Sequence, residues 1–360
     1  METRATCEAT ANIAVIKYWG KRDENLILPT NSSLSFTMDE HLKTRTTVVF
    51  SDKFEQDELW IDHKKKDLKE KEIAERVVQL DLVRQKAGIK LKARVVSINC
   101  FPADAGFASS ASGLAALACA ASKAAGLSLD SMDLSILARR GSGSACRSVL
   151  GGFVEWTKGE NADGSDSYAK QLQVASHWPE LRNVIAVINS NPKELSSRAG
   201  MKQTVATSPL FSARLAYLPK AIESMKDAVA QKDFSAFSKL VMRESDNMHA
   251  VMLDTWPAIT YLNDKSKQIM RLVGELNEAG GEAIAAYTFD AGPNPHLYTL
   301  ERNVEKVKSM LKEIGDIEKV IVCRVGDGPK YLAAEGDHLL DSDGTIKKHA
   351  FVEGRGIVVG

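Results

Sequence analysis

Residues Ser112 to Ala125 are almost all small, and within them Leu114, Leu117, Ala118 and Ala121 recur at helical spacing before Gly126, a natural stop. A helix with so little side-chain bulk is stable only where its neighbours press close, so the spacing predicts a buried helix. Short β-branched or alternating runs flank it: Thr44 to Phe50 and Lys92 to Ile98 before, Phe153 to Trp156 after. A second amphipathic helix opens at Asp130 or Ser131, runs through Leu134, Leu137 and Ala138, and ends in the glycine-serine run that begins at Gly141. The result is an expected strand-helix-helix-strand unit.

Further on the pattern changes. Val184 to Asn189 is a continuous apolar run of buried-strand character, and three helical stripes follow it. These are Leu215, Leu218, Ile222, Met225 and Val229; Phe234, Phe237, Leu240 and Val241; and Ile269, Leu272, Val273 and Leu276. Ala283 to Phe289 and Lys319 to Arg324 read as later strands, separated by a charged helical stretch from Asn303 to Ile314. Mixed α+β is the consistent class. A chain of 360 residues exceeds the usual span of one core, and about 150 residues per domain is the ordinary size. The shift in composition divides it into residues 1–183 and 184–360. No internal repeat is visible, and the charged run from His63 to Lys71 reads as a solvated loop or helix entry.

With 47 basic and 47 acidic residues the formal net charge is zero, which argues against nucleic acid or an anionic membrane as the main partner. Five scattered cysteines with no CxxC pair indicate neither a disulfide framework nor a zinc knuckle and fit a reducing, cytoplasmic setting. The first residues lack an apolar run of signal-peptide type, and no later stretch has the length to span a bilayer.

Four segments carry the chemistry. Pro102 to Gly113 (Pro-Ala-Asp-Ala-Gly-Phe-Ala-Ser-Ser-Ala-Ser-Gly) joins an expected strand to the buried helix. Glycine and alanine let the backbone approach a ligand, amides point outward at a helix start, and serine hydroxyls add donors, so the loop suits phosphate. It lacks the Gly-Lys-Ser/Thr triplet of a Walker A loop, and a tight turn into a close-packed helix is an equal reading. Arg139 to Ser148 combines flexible glycines, serines and three guanidinium groups, a natural anion binder or else a glycine-rich helix end with surface arginines. Ala11 to Lys21 alternates apolar residues with two lysines and two aromatics, as a strand leading to a cationic rim would; alternatively Lys17 and Lys21 snorkel from a core strand. Tyr287 to Asn294 sets Asp290 at the end of an apolar strand before a Gly-Pro turn, as a catalytic acid or as a turn cap. No HExxH and no GxSxG is present, which removes metal-hydrolase and serine-hydrolase readings of that type.

Together, Asn12 to Arg22 (Asn-Ile-Ala-Val-Ile-Lys-Tyr-Trp-Gly-Lys-Arg), Pro29 to Ser35, Pro102 to Gly113, Arg139 to Trp156 and Tyr287 to Asn294 resemble the mevalonate diphosphate decarboxylases almost end to end. That family belongs to the small-molecule kinase superfamily of galactokinase, homoserine kinase and mevalonate kinase. The block Ala-Arg-Arg-Gly-Ser-Gly-Ser-Ala-Cys-Arg-Ser from Ala138 to Ser148 is particular to it. The resemblance implies an α+β, two-lobed small-molecule-kinase fold, with a ribosomal-protein-S5-like N-terminal half, a ferredoxin-like C-terminal half and a cleft between them. It implies phosphorylation of the tertiary hydroxyl of mevalonate 5-diphosphate by ATP, followed by loss of phosphate and carbon dioxide to give isopentenyl diphosphate for isoprenoids and sterols.

Carried onto this sequence, the resemblance makes Asp290 the acid that orients the hydroxyl and accepts its proton. Arg147 would hold the substrate carboxylate, and Lys17 lies beside the reacting centre. Tyr18, Trp19, Gly20, Lys21, Ser142, Gly143, Ser144, Ala145, Cys146, Ser197 and Arg198 would line the substrate. Gly106, Phe107, Ala108, Ser109 and Ser110 would bind the ATP phosphates, with Mg2+ on Ser110. A homodimer is the family's usual assembly. Three departures stand out: Cys100 for an asparagine, Asp104 where a small residue is usual, and Arg198 for a threonine. A kinase of the same fold that stops at a phosphorylated mevalonate, or a non-catalytic binding protein, are the alternatives.

Overall fold

A computed structural model describes residues 4–101, 109–188 and 195–360. Among these residues the strands form three principal sheets. The first runs in the order Lys330–Leu332, Arg4–Thr10, Lys43–Ser51, Lys92–Asn99, Glu58–Ile61, Lys64–Lys65, with only the pairing of Glu58–Ile61 to Lys92–Asn99 parallel among them. The second runs Ala169–Gln173, Phe153–Trp156, Ser33–Thr37, Asn12–Ile16, and the third Ala285–Phe289, Pro295–Leu300, Leu181–Val187, Lys319–Arg324.

The charged run from His63 to Lys71 holds the short exposed strand Lys64–Lys65 and a loop, and only its last residue opens helix α1 (Lys71–Ala87), so the run is a strand and loop as well as a helix entry. The small-residue segment forms α2 (Ser109–Ala124), which packs against Arg4–Thr10 and Lys43–Ser51. Leu114 to Ala121 are at most 1% exposed; alanines there let α2 lie close to the sheet, as its composition requires. Helix α3 (Ser131–Gly141) is capped by Asp130, whose carboxylate accepts the Asp133 amide at 2.8 Å. The expected strand-helix-helix-strand unit is present, but its outer strands, Lys92–Asn99 and Phe153–Trp156, lie in different sheets. Two helices thus carry the chain from one layer to the next.

The three later stripes form α5 (Phe211–Gln231), α6 (Phe234–Leu253) and α7 (Asp264–Gly280), the charged stretch forms α8 (Val304–Lys312), and a further helix with no counterpart among the expected elements, α4 (Ser197–Thr207), precedes them. The strand expected from Val184 begins at Leu181, because register with Leu300 and Arg324 extends it backward past the apolar run. Helix α6 packs on both Asn12–Ile16 and Ala285–Phe289, strands of different sheets. An aromatic cluster joins the same layers: Phe36 lies 4.6 Å from Phe153, 5.6 Å from Phe237 and 5.3 Å from Tyr298 between ring centroids. Residues 330–332 then return to pair antiparallel with the first strand, Cys7 opposite Tyr331. Among the described residues no helix is long and apolar enough to cross a membrane.

Candidate active site

Strand Asn12–Ile16 is fully buried and ends at Lys17, whose side chain stays inside the protein at 1% exposure. A buried ammonium must find a partner. It finds Asp290, just past the end of Ala285–Phe289: Lys17 Nζ donates to Asp290 Oδ1 at 2.7 Å. The Asp290 side chain keeps 30% of its surface open, so its carboxylate faces both the lysine and solvent. Burial lowers the Lys17 pKa below the ordinary lysine value, opposed chiefly by the Asp290 charge. The two halves of the chain therefore meet at a charged contact.

Arg147 follows the 3-10 turn Gly143–Cys146 and is 2% exposed. Its Nε donates to Asn12 Oδ1 at 3.0 Å and Ser35 Oγ at 2.9 Å, and Nη1 to Ser33 Oγ at 2.7 Å. The guanidinium also lies 5.8 Å from the Trp156 ring centroid. Polar side chains of the second sheet therefore fix this arginine before any ligand arrives. Desolvation lowers its pKa, and the charge of Asp290 counters that.

Around the same turn, Ser142 Oγ and Ser144 Oγ are 3.2 Å apart. The Tyr18 hydroxyl is buried without a hydrogen-bond partner among the described residues, as is Arg140 Nε. Unpaired buried groups are costly, so these two point to a polar ligand. Burial raises the Tyr18 pKa, which keeps the phenol a donor. Lys21, 9% exposed, pairs with Glu24.

Not every expected residue presents a side chain. Ala145 and Cys146 are fully buried in core clusters, the Cys146 thiol pushed up to about 12 by burial, so only their main chain can meet a ligand. Trp19 packs with Met201, Phe211 and Met248 and donates to Thr204 Oγ1 at 3.0 Å. Gly20 holds φ +109°, and a Cβ there would stand 2.6 Å from Phe211 Cζ. Arg139 donates to the carbonyls of Gly164, Ser167 and Leu26, so this arginine anchors loops rather than the turn. Ser197 is the half-buried first residue of α4. Gly106, Phe107, Ala108 and Asp104 lie outside the described residues, as does the side chain of Ser109; Ser110 is exposed in the first turn of α2.

Two residues of the site escaped the sequence reading. Glu244 Oε1 accepts the Lys17 amide at 2.9 Å, and Arg214 pairs with the same oxygen at 2.6 Å, both side chains fully buried. Each had a signal: Glu244 stands in the Phe237, Val241, Met248 stripe and Arg214 in the Phe211, Leu218 stripe, charges on the faces that pack inward. Asp39, His41 and Cys323 form a group with ligand atoms within 4.8 Å of one another. The Asp39 carboxylate already accepts from the His41 ring at 2.8 Å and the Arg324 amide at 2.8 Å, so it is satisfied as a cap.

The chain matches the model of the diphosphomevalonate decarboxylase-like N-terminal domain over residues 9–169 and that of the mevalonate 5-diphosphate decarboxylase C-terminal domain over residues 183–315. The diphosphomevalonate decarboxylase of Candida albicans is 42% identical over 355 residues, covering 91% of this chain and 97% of that one. The chain belongs to the diphosphomevalonate decarboxylase family. Mevalonate diphosphate decarboxylase from Staphylococcus aureus superposes with TM-score 0.86 at 38% identity over 92% of this chain and 98% of that one. A structure designated MDDEF, in complex with MVAPP, AMPPCP and magnesium, has TM-score 0.84 at 39% identity, covering 92% and 99%.

Two of the departures from the decarboxylase motifs fall on described residues. Cys100 packs with Val96, Leu339 and Leu340, its thiol pushed up to about 11 by burial, so it is a core residue. Arg198 donates to the Gly141 carbonyl at 3.0 Å and pairs with Glu75, tying α4 to α1 and to the end of α3.

Proposed function

We propose that this protein converts mevalonate 5-diphosphate and ATP to isopentenyl diphosphate, ADP, phosphate and carbon dioxide. The observation that carries the reading is the 2.7 Å contact of buried Lys17 with half-open Asp290, in a chain of this family. A tertiary hydroxyl leaves poorly. Asp290 orients it and accepts its proton as the oxygen attacks the terminal phosphorus of ATP. The resulting ester lets the carbon–oxygen bond break toward phosphate, while the carbon–carbon bond to the substrate carboxylate supplies the electron pair of the new alkene and carbon dioxide departs.

Lys17 holds Asp290 in line through their 2.7 Å contact. Arg147, already fixed by Asn12, Ser33 and Ser35, takes the substrate carboxylate through the remaining edge of its guanidinium. The Tyr18 hydroxyl, Arg140, Lys21, Ser142, Ser144 and the main chain of Gly143 to Cys146 receive the diphosphate, with Ser197 and Arg198 at its border. Gly106 to Ser110 and the start of α2 take the ATP phosphates. Magnesium neutralises charge on those phosphates when bound; the exposed Ser110 hydroxyl fits it, since the ion keeps most of its ligands as water and phosphate oxygen. Under this reading a division near residue 184 assigns ATP and most of the diphosphate contacts to the first lobe, and Asp290 with Ser197 and Arg198 to the second. The protein works as a cytoplasmic homodimer feeding isoprenoid and sterol synthesis.

Purified protein with ATP and mevalonate 5-diphosphate tests this. Equal release of inorganic phosphate and carbon dioxide is expected. A stable phosphorylated acid, the product of a kinase that stops early, overturns it.

A further inference from the structure

A lysine side chain has four rotatable bonds, so burying its ammonium on Asp290 does not by itself fix where that ammonium sits. The backbone does. The Lys17 amide donates to Glu244 Oε1 at 2.9 Å, and the Lys17 carbonyl accepts from Asn31 Nδ2 at 3.0 Å and Arg214 Nη2 at 3.3 Å. Arg214 Nη2 also donates to Glu244 Oε1 at 2.6 Å, and its Nη1 to Oε2 at 3.3 Å. Amide, carboxylate, guanidinium and carbonyl thus close a ring around one residue. Arg214 is held in turn by Asn247.

The residues after Glu244 treat the other partner the same way. Ser245 Oγ accepts the Phe289 amide at 3.0 Å, and the Asp246 carboxylate accepts the Tyr287 hydroxyl at 3.1 Å. Three consecutive residues of α6 therefore grip the strand end before Lys17 and the strand end before Asp290. An ion pair with both side chains fully buried is a poor device for stability, because apolar residues of the same volume usually serve as well or better.

Resting on the decarboxylase reading above, we propose that Glu244 and Arg214 are positioning residues: they clamp the Lys17 main chain so that its ammonium and the Asp290 carboxylate share one geometry set by α6. Several charged or titratable groups act on Lys17. Asp290 comes from the end of its strand, Glu244 and Arg214 from α6 and α5, and Arg147 from beyond the 3-10 turn. His249 on α6 and His296 on Pro295–Leu300 also sense the lysine, but burial holds both near pKa 4, so they stay neutral where lysine titrates. Glu244 raises the Lys17 pKa against burial and Arg147. Removing its charge sends that pKa further down.

The test uses Glu244→Gln and the double variant Glu244→Gln with Arg214→Met. In each, kcat, KM and the pH profile are measured together with melting temperature, and the Lys17 side chain is titrated by NMR in ligand-free protein, assigned through Lys17→Arg. Expected for Glu244→Gln are a fall in kcat of about 100-fold, KM for ATP within about threefold, and a Lys17 midpoint lower by about one pH unit or more. The double variant should melt higher than Glu244→Gln yet keep the low kcat. A purely structural pair predicts wild-type kcat per folded molecule, which in the double variant overturns the proposal, and an unmoved midpoint in Glu244→Gln overturns it too, since the Glu244 charge then does not reach the ammonium. The titration needs no turnover. A wild-type protein that fails to decarboxylate overturns the function, whereas a wild-type protein that turns over beside a double variant of equal kcat overturns the role of the pair alone.

Discussion

Tyr18 and Trp156 meet edge to face, ring centroids 4.7 Å apart at 63°, and both rings close over Gly143. A Cβ at Gly143 would stand 2.7 Å from Tyr18 Cε1 and 2.8 Å from Trp156 Cη2, closer than such atoms approach. Gly143→Ala must therefore push the Tyr18 phenol off its position. Steady-state kinetics should show KM for mevalonate 5-diphosphate raised by about tenfold or more, together with a lower melting temperature because the same Cβ crowds the buried Trp156 ring. An unaltered KM would remove Tyr18 from the diphosphate site.

Asp290→Asn keeps an oxygen for Lys17 but no longer accepts a proton. Turnover should fall by at least about 1000-fold, whereas ATP binding, read by calorimetry, changes by less than about threefold. Undiminished turnover in that variant would end the assignment of Asp290 as base.

For Arg147→Lys, one ammonium replaces a fork that now meets Asn12, Ser33 and Ser35 at once. Buried oxygens lose their donors and the planar edge toward the substrate is gone. We expect kcat to drop by about 100-fold and stability to fall by about 1–3 kcal/mol in denaturant titrations; wild-type kinetics would refute the role.

Acid should weaken the fold through His249 and His296. Burial holds each near pKa 4, below the unfolded value of 6.5, so between these limits the unfolded chain binds more protons. Stability is then full above about pH 6.5 and declines as pH falls toward 4, by about 1.4 kcal/mol per pH unit for each histidine. Replacing His296 with Gln should reduce that slope between pH 6.5 and 4 in equilibrium unfolding; an unchanged slope would show that His296 does not contribute.

The helices were legible where apolar residues carried the period: α2, α3, α5, α6 and α7 lie where their stripes place them. The strand Arg4–Thr10 was not, because small and polar residues such as Thr6 and Glu8 become strand only through pairing with Lys43–Ser51 on one side and Lys330–Leu332 on the other. Asp290, Arg147 and Lys17 could be named from their motifs. Their distances could not, since a 2.7 Å contact between residues 273 positions apart is made by packing. Glu244 and Arg214 were hidden differently. A reading that counts apolar periodicity steps over a charge standing on the buried stripe, although that misfit was itself the clue.

The late return of Lys330–Leu332 has a consequence for synthesis. On the ribosome the strand Arg4–Thr10 has one neighbour and one bare edge until residue 332 emerges. The sheet that supports α2 is begun with the first strand and finished almost last, so a chain halted near residue 184 would carry an open, pairing-competent edge into the cell.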